Sequence, residues 1–322
     1  MDVVKRLISE PPLWNDDDQR AILQPYDHIA SKPGKNFRSK LISVFNLIYR
    51  IPDAKIELVA SMVEILHNAS LLIDDIEDNS EMRRGLTASH LIFGSPMTIN
   101  TANYMYFRAM EILQDIAGAD KLLLKDLMII FNEEMINLHR GQGLDIYWRD
   151  SLPNIIPDDQ MYFNMVMNKT GGLFRLTVKI MERLTDEKLD FSLIPFSNLL
   201  GIIYQLRDDY KNLLDKQMIA NKGLAEDISE GKLSFPIIHG LRYGQQHNDV
   251  FLLDILKLRT TDIPLKYKAI DYLQNTSKSM DFTRNAIDEL TTLAKQGGYI
   301  PVESHADASS QLLYVVDYLA KI

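Results

Sequence analysis

Residues 56–75 of the chain read IELVASMVEILHNASLLIDD, an apolar segment that ends in two aspartates. The apolar residues recur at every third or fourth position, which is the period of an α-helix that is buried along one face. The same period covers most of the remaining chain, whereas strand-like alternation is scarce. Prolines and a Gly–Ser–Pro step separate the apolar segments, as is typical of helix boundaries. The sequence therefore predicts an all-α fold, a bundle of ten or more helices that forms a single domain over residues 1–322.

The composition excludes several classes of protein. The 322 residues include 44 acidic and 35 basic side chains, which gives a formal net charge of −9, and no cysteine. Nucleic-acid binding needs a basic surface, so we expect no nucleic-acid partner. Without cysteine we expect no disulfide, no thiolate zinc site and no prenylation box. Neither a signal-peptide core nor an uninterrupted apolar stretch of ~18 residues is visible, so we expect a cytoplasmic protein with no integral membrane segment.

Two acidic clusters follow directly on apolar helical segments. The first, residues 74–78, reads DDIED, and Asp74 and Asp78 lie one helical turn apart on the same face. The second, residues 205–212, reads QLRDDYKN and ends an even more apolar segment. Magnesium is held by one or two carboxylates together with water and substrate phosphates, so the pair of clusters indicates a site for Mg²⁺ and a diphosphate. Each cluster taken alone also fits a solvated helix end.

Basic residues occur in short segments that suit anionic ligands. Residues 33–38, PGKNFR, begin a helix, and a helix N-terminus with basic side chains binds anions. RRG follows the first acidic cluster at 83–85, and KTGG at 169–172 interrupts a long apolar segment. Lys222 and Lys232, each next to a glycine, follow the second cluster. Each segment alone fits ordinary surface charge, whereas together they provide two sets of cations, enough for two anionic substrates.

Five motifs occur in this order: GKNFR at 34–38, LHN at 66–68, DDIED at 74–78 with RRG at 83–85, KTGG at 169–172 and QLRDD at 205–209. They resemble the motifs of the trans-isoprenyl diphosphate synthases, in particular the fungal geranylgeranyl diphosphate synthases, and the similarity runs from about Trp14 to the C-terminus. The resemblance implies the isoprenoid synthase fold, in which the helices surround a central cavity. It also implies a homodimer that joins through residues 95–117 and 121–145.

The activity that the resemblance implies is a Mg²⁺-dependent prenyl transfer. Isopentenyl diphosphate is condensed with an allylic diphosphate to give a twenty-carbon product, through ionisation, condensation and elimination. The allylic substrates are dimethylallyl, geranyl and chiefly farnesyl diphosphate. Metals and cations would stabilise the charge that develops on the leaving diphosphate, so no protein nucleophile is needed.

The resemblance further implies roles for individual residues. Up to three Mg²⁺ ions bridge the allylic diphosphate, two on Asp74 and Asp78 and a third on Asp208 or Asp209. The catalytic residues are these four together with Asp75, Lys169, Thr170 and Gln205, the last two lying beside the forming carbocation. The residues implied for the allylic diphosphate are Arg83, Lys169, Thr170, Gln205, Asn212, Lys222 and Lys232. Those implied for isopentenyl diphosphate are Gly34, Lys35, Arg38, His67 and Arg84.

Asn212 departs from the family pattern, because the second motif usually ends in an aspartate. An amide oxygen is neutral, so we expect the third metal to be held more weakly or through water. The eukaryotic geranylgeranyl synthases share this variation, so it indicates a subtype rather than a loss of activity.

The product length is predicted from the residues upstream of Asp74. At about 1.5 Å per residue along a helix, the fourth and fifth positions before Asp74 line the cavity wall below the metals. These positions are Ser70 and Ala69, which are small, whereas an aromatic residue there would stop the product at farnesyl length. The candidates for a deeper floor are Tyr106, Phe107 and His139. The same residues also fit ordinary aromatic core.

Two other functions fit parts of the pattern. A class I terpene cyclase also uses an aspartate-rich motif in an all-helical bundle, but it ionises one diphosphate and leaves Lys35, Arg38 and Arg84 without a role. A subunit of a heteromeric prenyl diphosphate synthase need not keep metal-binding carboxylates, whereas this chain keeps both clusters. Consumption of isopentenyl diphosphate by the purified chain alone separates a synthase from both alternatives.

Overall fold

The computed structural model describes residues 2–32, 34, 37–215, 223–302 and 305–322. In these residues it has sixteen α-helices, one hairpin of two short strands with two residues each, and one turn of π-helix, Tyr272–Thr276. The prediction of an all-α bundle of ten or more helices is confirmed. The helices and strands are α1 (Asp2–Leu7), α2 (Asp16–Ala30), α3 (Phe37–Tyr49), α4 (Asp53–Glu77), β1 (Met82–Arg83), β2 (Leu86–Thr87), α5 (Ser89–Phe93), α6 (Ser95–Ala117), α7 (Lys121–Asp150), α8 (Asp159–Lys169), α9 (Gly171–Leu184), α10 (Ile194–Leu214), α11 (Glu226–Glu230), α12 (Phe235–His247), α13 (Phe251–Leu258), α14 (Ile263–Asp271), α15 (Ser279–Gln296) and α16 (Ala306–Ala320).

Helix α4 packs along α6 and also contacts α2, α3 and α9. Met62, Leu66, Ala69 and Leu72 are fully buried, at the three- and four-residue spacing that the sequence predicts. Among the described residues, α4 is the one helix that is long and apolar enough to cross a membrane by length and composition. Core helices of soluble proteins pass the same test, and here the apolar face is covered by the neighbouring helices.

Helix α10 belongs to both large hydrophobic clusters of the molecule. Leu200 and Ile203 in its first half pack with α3, α4, α6, α7, α9 and α16. Leu206 and Leu213 in its second half pack with α8 and with α11 to α15. The second acidic cluster, residues 205–212, therefore lies where these two hydrophobic clusters meet.

A break of a single residue, Thr170, separates α8 from α9. Two neighbouring helices approach the break closely because each carries a glycine there. A Cβ at Gly141 on α7 would overlap the backbone of Lys169, and a Cβ at Gly201 on α10 would lie 2.7 Å from the Cα of Gly171. The break is therefore held between α7 and α10.

Candidate active site

The first acidic cluster forms the last turn of α4, and the β1–β2 hairpin folds back onto it. Arg83 in the hairpin donates from Nε to Asp75 Oδ1 at 2.6 Å and from Nη2 to Asp74 Oδ2 at 2.9 Å. Burial lowers the pKa of Arg83, but the carboxylates of Asp75 and Asp74 raise it above its ordinary value. Asp75 is only 1% exposed, so it fixes Arg83 and has little surface left for a ligand.

Asp78 lies one turn further on, beneath Arg149 of α7. Arg149 Nη1 donates to Asp78 Oδ1 at 2.7 Å. Burial, together with the nearby carboxylates of Asp74 and Glu230, nevertheless raises the pKa of Asp78 to about 7. At Asp78, burial and the neighbouring carboxylates thus outweigh Lys169 and Lys232, which lower the pKa.

Lys169 reaches this cluster from the end of α8. Its Nζ donates to Asp145 Oδ2 at 2.6 Å and lies 3.8 Å from Asp74 Oδ1. Burial lowers the pKa of Lys169, but Asp145 and Asp74 raise it, and the net pKa lies above the ordinary value. Lys169 therefore stays protonated and presents a cation beside Asp74.

The neighbouring Thr170 reaches the second acidic cluster. Thr170 Oγ1 donates to Gln205 Oε1, and Gln205 Nε2 donates to Asp209 Oδ1 at 2.7 Å. Because Lys169 and Thr170 are adjacent, the break between α8 and α9 joins the two acidic clusters into one site. The sequence predicted these residues separately, and the structure brings them together.

The two aspartates of the second cluster have different surroundings. Asp209 is 2% exposed and also accepts hydrogen bonds from the Tyr162 hydroxyl at 2.5 Å and from the Phe235 backbone N–H at 2.8 Å. Burial raises the pKa of Asp209, and these donors together with Lys232 lower it, leaving it above the ordinary value. Asp208 is half-buried, and the structure gives it no hydrogen bond with another described residue.

Lys232 supplies a further cation next to the second cluster. Its Nζ lies 3.7 Å from Asp227 Oδ1. Burial lowers the pKa of Lys232, but Asp227, Glu230 and Asp145 raise it well above its ordinary value. Asn212 is 4% exposed, and its Oδ1 accepts the backbone N–H of Asp227 at 3.1 Å. The amide at this position therefore holds the start of α11, a structural role that the resemblance did not imply.

A second group of polar residues lies about two turns earlier on α4. Arg84 donates to Asn68 Oδ1 at 2.8 Å and to the Ile29 and Lys32 carbonyls at 3.2 and 3.0 Å. A Cβ at Gly34 would lie 3.3 Å from Arg84 Nη2, so the glycine allows this loop to approach the guanidinium.

His67 and Arg38 belong to the same group. Burial, Arg38 and Arg84 all lower the pKa of His67 well below its ordinary value, so its imidazole is neutral. The Arg38 guanidinium lies 5.7 Å from the ring centres of both Phe174 and Tyr204, and its Nε is buried without a hydrogen bond among the described residues. Lys35 and Lys222, which the sequence also assigned to the site, lie outside the described residues.

The chain-length residues are only partly brought together, because His139, like Phe107, is exposed in the single chain, whereas Tyr106 is half-buried. Tyr106 and His139 pack edge to face with ring centres 5.6 Å apart. Burial, then the carboxylates of Glu77 and Asp74, raise the pKa of Tyr106, which places its ring near the acidic cluster. Ala69 is fully buried, and Ser70 Oγ donates to the His67 carbonyl at 2.8 Å.

Phe107 is 67% exposed, which corrects the expectation that it joins this floor within a single chain. Successive residues of an α-helix point about 100° apart, so Tyr106 and Phe107 face different directions on α6.

Several residues of the site were missed by the sequence reasoning. Gln142 donates to Glu77 Oε2 at 2.6 Å and to Asp74 Oδ1 at 3.2 Å, while Asp145 and Arg149 pair with Lys169 and Asp78. Gln142, Asp145 and Arg149 follow one another at three and four residues along α7. Polar side chains at helical spacing on an otherwise buried face are the signal that could have found them.

The donor set fits magnesium. Asp74, Asp78 and Asp208 offer hard carboxylate oxygens, which are the ligands that Mg²⁺ prefers. Among the described residues, no three acidic or histidine side chains form a preassembled metal site. Magnesium does not require one, because it is commonly bound by one or two carboxylates, water and substrate phosphates.

The sequence profile of the polyprenyl synthetase family matches residues 19–273. The chain belongs to the polyprenyl synthetase family. Within this family it is 50% identical over 325 aligned residues to a protein of Eremothecium gossypii named geranylgeranyl pyrophosphate synthase, with 99% of each chain covered. It is 47% identical to a geranylgeranyl pyrophosphate synthase of Penicillium canescens, over 87% of this chain and 80% of the relative. For the enzyme of that name from Apiospora sacchari the identity is 45%, over 89% of this chain and 82% of the relative. This family is the one that the ordered motifs predict.

Proposed function

We propose that this polyprenyl synthetase is a geranylgeranyl diphosphate synthase. The observation that carries the proposal is that one helix, α4, holds two separate anion sites. Asp74 lies with Arg83 and Lys169 at its end, and His67 lies with Arg84 two turns earlier. Seven residues of α-helix separate His67 from Asp74, a rise of about 10 Å. Two diphosphates placed side by side are what a condensation of two prenyl diphosphates needs.

The names of the relatives support the same assignment. Fungal relatives that cover almost the whole chain are named geranylgeranyl pyrophosphate synthases. The substrates proposed are isopentenyl diphosphate and an allylic diphosphate, which is dimethylallyl, geranyl or chiefly farnesyl diphosphate. The small residues Ala69 and Ser70 below Asp74 leave room for a chain longer than fifteen carbons, and Tyr106 with His139 limits it at twenty.

Magnesium is the proposed cofactor, with up to three ions per site. Asp74 and Asp78 would hold two ions, and Asp208 the third, because Asp209 is already saturated by Tyr162, Gln205 and the Phe235 N–H. When bound, the metal neutralises the diphosphate and makes it a better leaving group.

The chain's own residues bind and stabilise the charges of the reaction. Arg83, Lys169 and Lys232 hold the allylic diphosphate, which takes the electron pair of the breaking C–O bond. Thr170 Oγ1 and Gln205 Oε1 lie beside the allylic cation and orient it. The double bond of isopentenyl diphosphate, held by Arg38, His67 and Arg84, attacks this cation. The resulting cation loses a proton to the departed diphosphate, and a new double bond forms.

A homodimer is part of the proposal. The outer faces of α6 and α7 carry exposed apolar side chains, and three on α7 repeat at seven-residue intervals. These side chains are Phe107, Leu122, Ile129 and Ile136, with exposed fractions of 67%, 63%, 56% and 42%. Exposed apolar side chains that repeat on one helix face are typical of a helix that packs against another subunit.

Mass spectrometry of the product tests the function. The purified chain is incubated with Mg²⁺, farnesyl diphosphate and isotopically labelled isopentenyl diphosphate, and we expect a labelled twenty-carbon diphosphate. Release of an unlabelled hydrocarbon would instead identify a terpene cyclase. Activity that appears only after a second type of chain is added would identify a subunit of a heteromeric synthase.

A further inference from the structure

A buried ion pair lies directly behind the break at Thr170. Arg175 on α9 donates from Nε to both carboxylate oxygens of Glu134 on α7, at 3.0 and 2.9 Å, and from Nη2 to one of them at 2.6 Å. Its Nη1 donates to Asn198 Oδ1 on α10 and to the Met167 carbonyl on α8, both at 2.9 Å. One guanidinium on α9 therefore connects to α7, α8 and α10.

The bond to Met167 links this network to the active site. The last carbonyls of a helix have no partner within that helix, and Met167 lies in the last turn of α8, two residues before Lys169. On the other side of the break, a Cβ at Gly171 would lie 3.6 Å from Arg175 Nη1. Arg175 therefore bonds to α8 before the break at Thr170 and lies close to Gly171 after it.

We propose that Arg175, held in place by Glu134, is a positioning residue for Lys169 and Thr170. The proposal rests on the proposed function in so far as these two residues contact the allylic substrate. Without the guanidinium, the last turn of α8 loses its anchor, and Lys169 Nζ no longer keeps its place beside Asp74. The group around Arg84, with His67 and Arg38, belongs to α2, α3, α4 and the hairpin, to which Arg175 donates no hydrogen bond.

Removal of Arg175 alone would also destabilise the fold, so the test needs variants that separate the two effects. Arg175→Met leaves the buried Glu134 with Lys179 as its remaining ion-pair partner, at 2.7 Å. The double variant Glu134→Met/Arg175→Met replaces both partners by unbranched apolar side chains, which tends to restore stability but supplies no donor for Met167. Arg175→Lys keeps the charge beside Glu134 but lacks the planar fork that reaches Met167 and Asn198 together.

Three measurements are made on each variant: the melting temperature, hydrogen exchange of the amides of residues 168–172, and steady-state kinetics with both substrates. We expect kcat/KM for farnesyl diphosphate to fall about ten- to a hundredfold in the double variant and in Arg175→Lys, as for other displaced catalytic groups. We expect KM for isopentenyl diphosphate to stay within about twofold. Exchange at 168–172 should become faster.

The proposal is overturned if either variant that melts like the wild type also regains wild-type kcat/KM for farnesyl diphosphate. An equal change of KM for both substrates, or unchanged exchange at 168–172, would overturn it as well. The exchange measurement needs no substrate, so it tests the positioning role even if the chain makes no twenty-carbon product.

Arg183→Met is the matched control. Arg183 also joins α9 to α7, donating to Asp126 Oδ2 at 2.8 Å, but at the surface, where the two side chains are 40% and 35% exposed. The loss of a surface pair has little effect on stability, and Arg183 does not reach the break, so we expect the kinetics of this variant to match the wild type.

Discussion

At the scale of single residues, the two adjacent aspartates of each acidic cluster differ in burial and therefore in role. Asp75 and Asp209 are 1% and 2% exposed, and both are engaged by neighbouring donors. Asp74 and Asp208 are half-buried and lie at the surface of the site. A carboxylate that is closed off from solvent has little surface for a ligand, so we expect ligand contacts to fall on the more exposed Asp74 and Asp208.

Asp78 makes stability depend on pH when no metal is bound. Its pKa is raised from 3.8 to about 7, so the folded protein favours the protonated carboxyl. The stability that this group contributes is fully present below pH 3.8 and is lost as the pH rises through about 7. In the presence of a chelator, we expect the free energy of unfolding of the wild type to fall more between about pH 4 and about pH 8 than that of Asp78→Asn.

Urea unfolding of the two proteins measures this difference. His67 changes the free energy of unfolding with pH in the opposite direction. Burial and Arg38 lower its pKa, so the stability that it contributes is lost as the pH falls. Both proteins contain His67, so the comparison cancels its effect. If the free energy of unfolding changed equally with pH in the wild type and in Asp78→Asn, Asp78 would already be ionised without metal.

Tyr106 should set the length of the product. Tyr106→Ala removes the ring that packs on His139, so we expect products longer than twenty carbons by mass spectrometry. Phe107→Ala should leave the product unchanged, because its ring points in a different direction from Tyr106 on α6. A longer product from Phe107→Ala and not from Tyr106→Ala would reverse the assignment of the floor.

At the scale of secondary structure, the decisive feature is the close approach of α7 and of α10 to the α8–α9 break. Close approach of the helices requires glycine at 141 and 201, since a Cβ at either position meets backbone atoms, which cannot rotate away. The helical period of the sequence predicted that these helices exist. It did not predict that α7 and α10 approach the chain at Lys169 and Gly171.

Gly201→Ala should therefore destabilise the protein by about 1–3 kcal/mol, the usual range for overpacking. The added Cβ would lie 2.7 Å from the Cα of Gly171. Gly143→Ala is the matched control, because this helical glycine on α7 is exposed and its Cβ meets nothing within 4 Å. We expect the control to raise stability by up to about 1 kcal/mol, since alanine favours helix. Thermal unfolding compares the two, and equal melting temperatures would contradict the close crossing.

At the scale of the whole molecule, α6 and α7 have apolar surface that the chain itself does not cover. Leu122, Ile129 and Ile136 form a stripe on the outer face of α7. Burial of this stripe against a second copy would remove apolar area from water, which would stabilise the proposed homodimer.

Ile129→Asp should convert the dimer to a monomer, because it would bury an unpaired carboxylate in the interface. Sedimentation velocity measures the mass in solution. Tyr267→Asp on α14 is the control, since Tyr267 is 58% exposed but lies outside α6 and α7, and we expect this variant to sediment as the wild type does. A dimer that survives Ile129→Asp would place the interface elsewhere.

Much of the fold and of the site could be predicted from the sequence. The period of residues 56–75, the prolines between segments and the five motifs were sufficient for the all-α fold and for the polyprenyl synthetase family. The cytoplasmic location and the single-domain organisation stay predictions.

The pairing of side chains could not be predicted, because partners far apart in sequence meet only in the folded chain. The sequence by itself determined which residues bear charge and at what helical spacing, since both are local properties. The folded chain was needed to see that Arg149 pairs with Asp78, that Asn212 holds α11 and that Phe107 faces outward. The physical reason is that burial and long-range contacts depend on how the helices cross, and glycines such as Gly141 and Gly201 set those crossings.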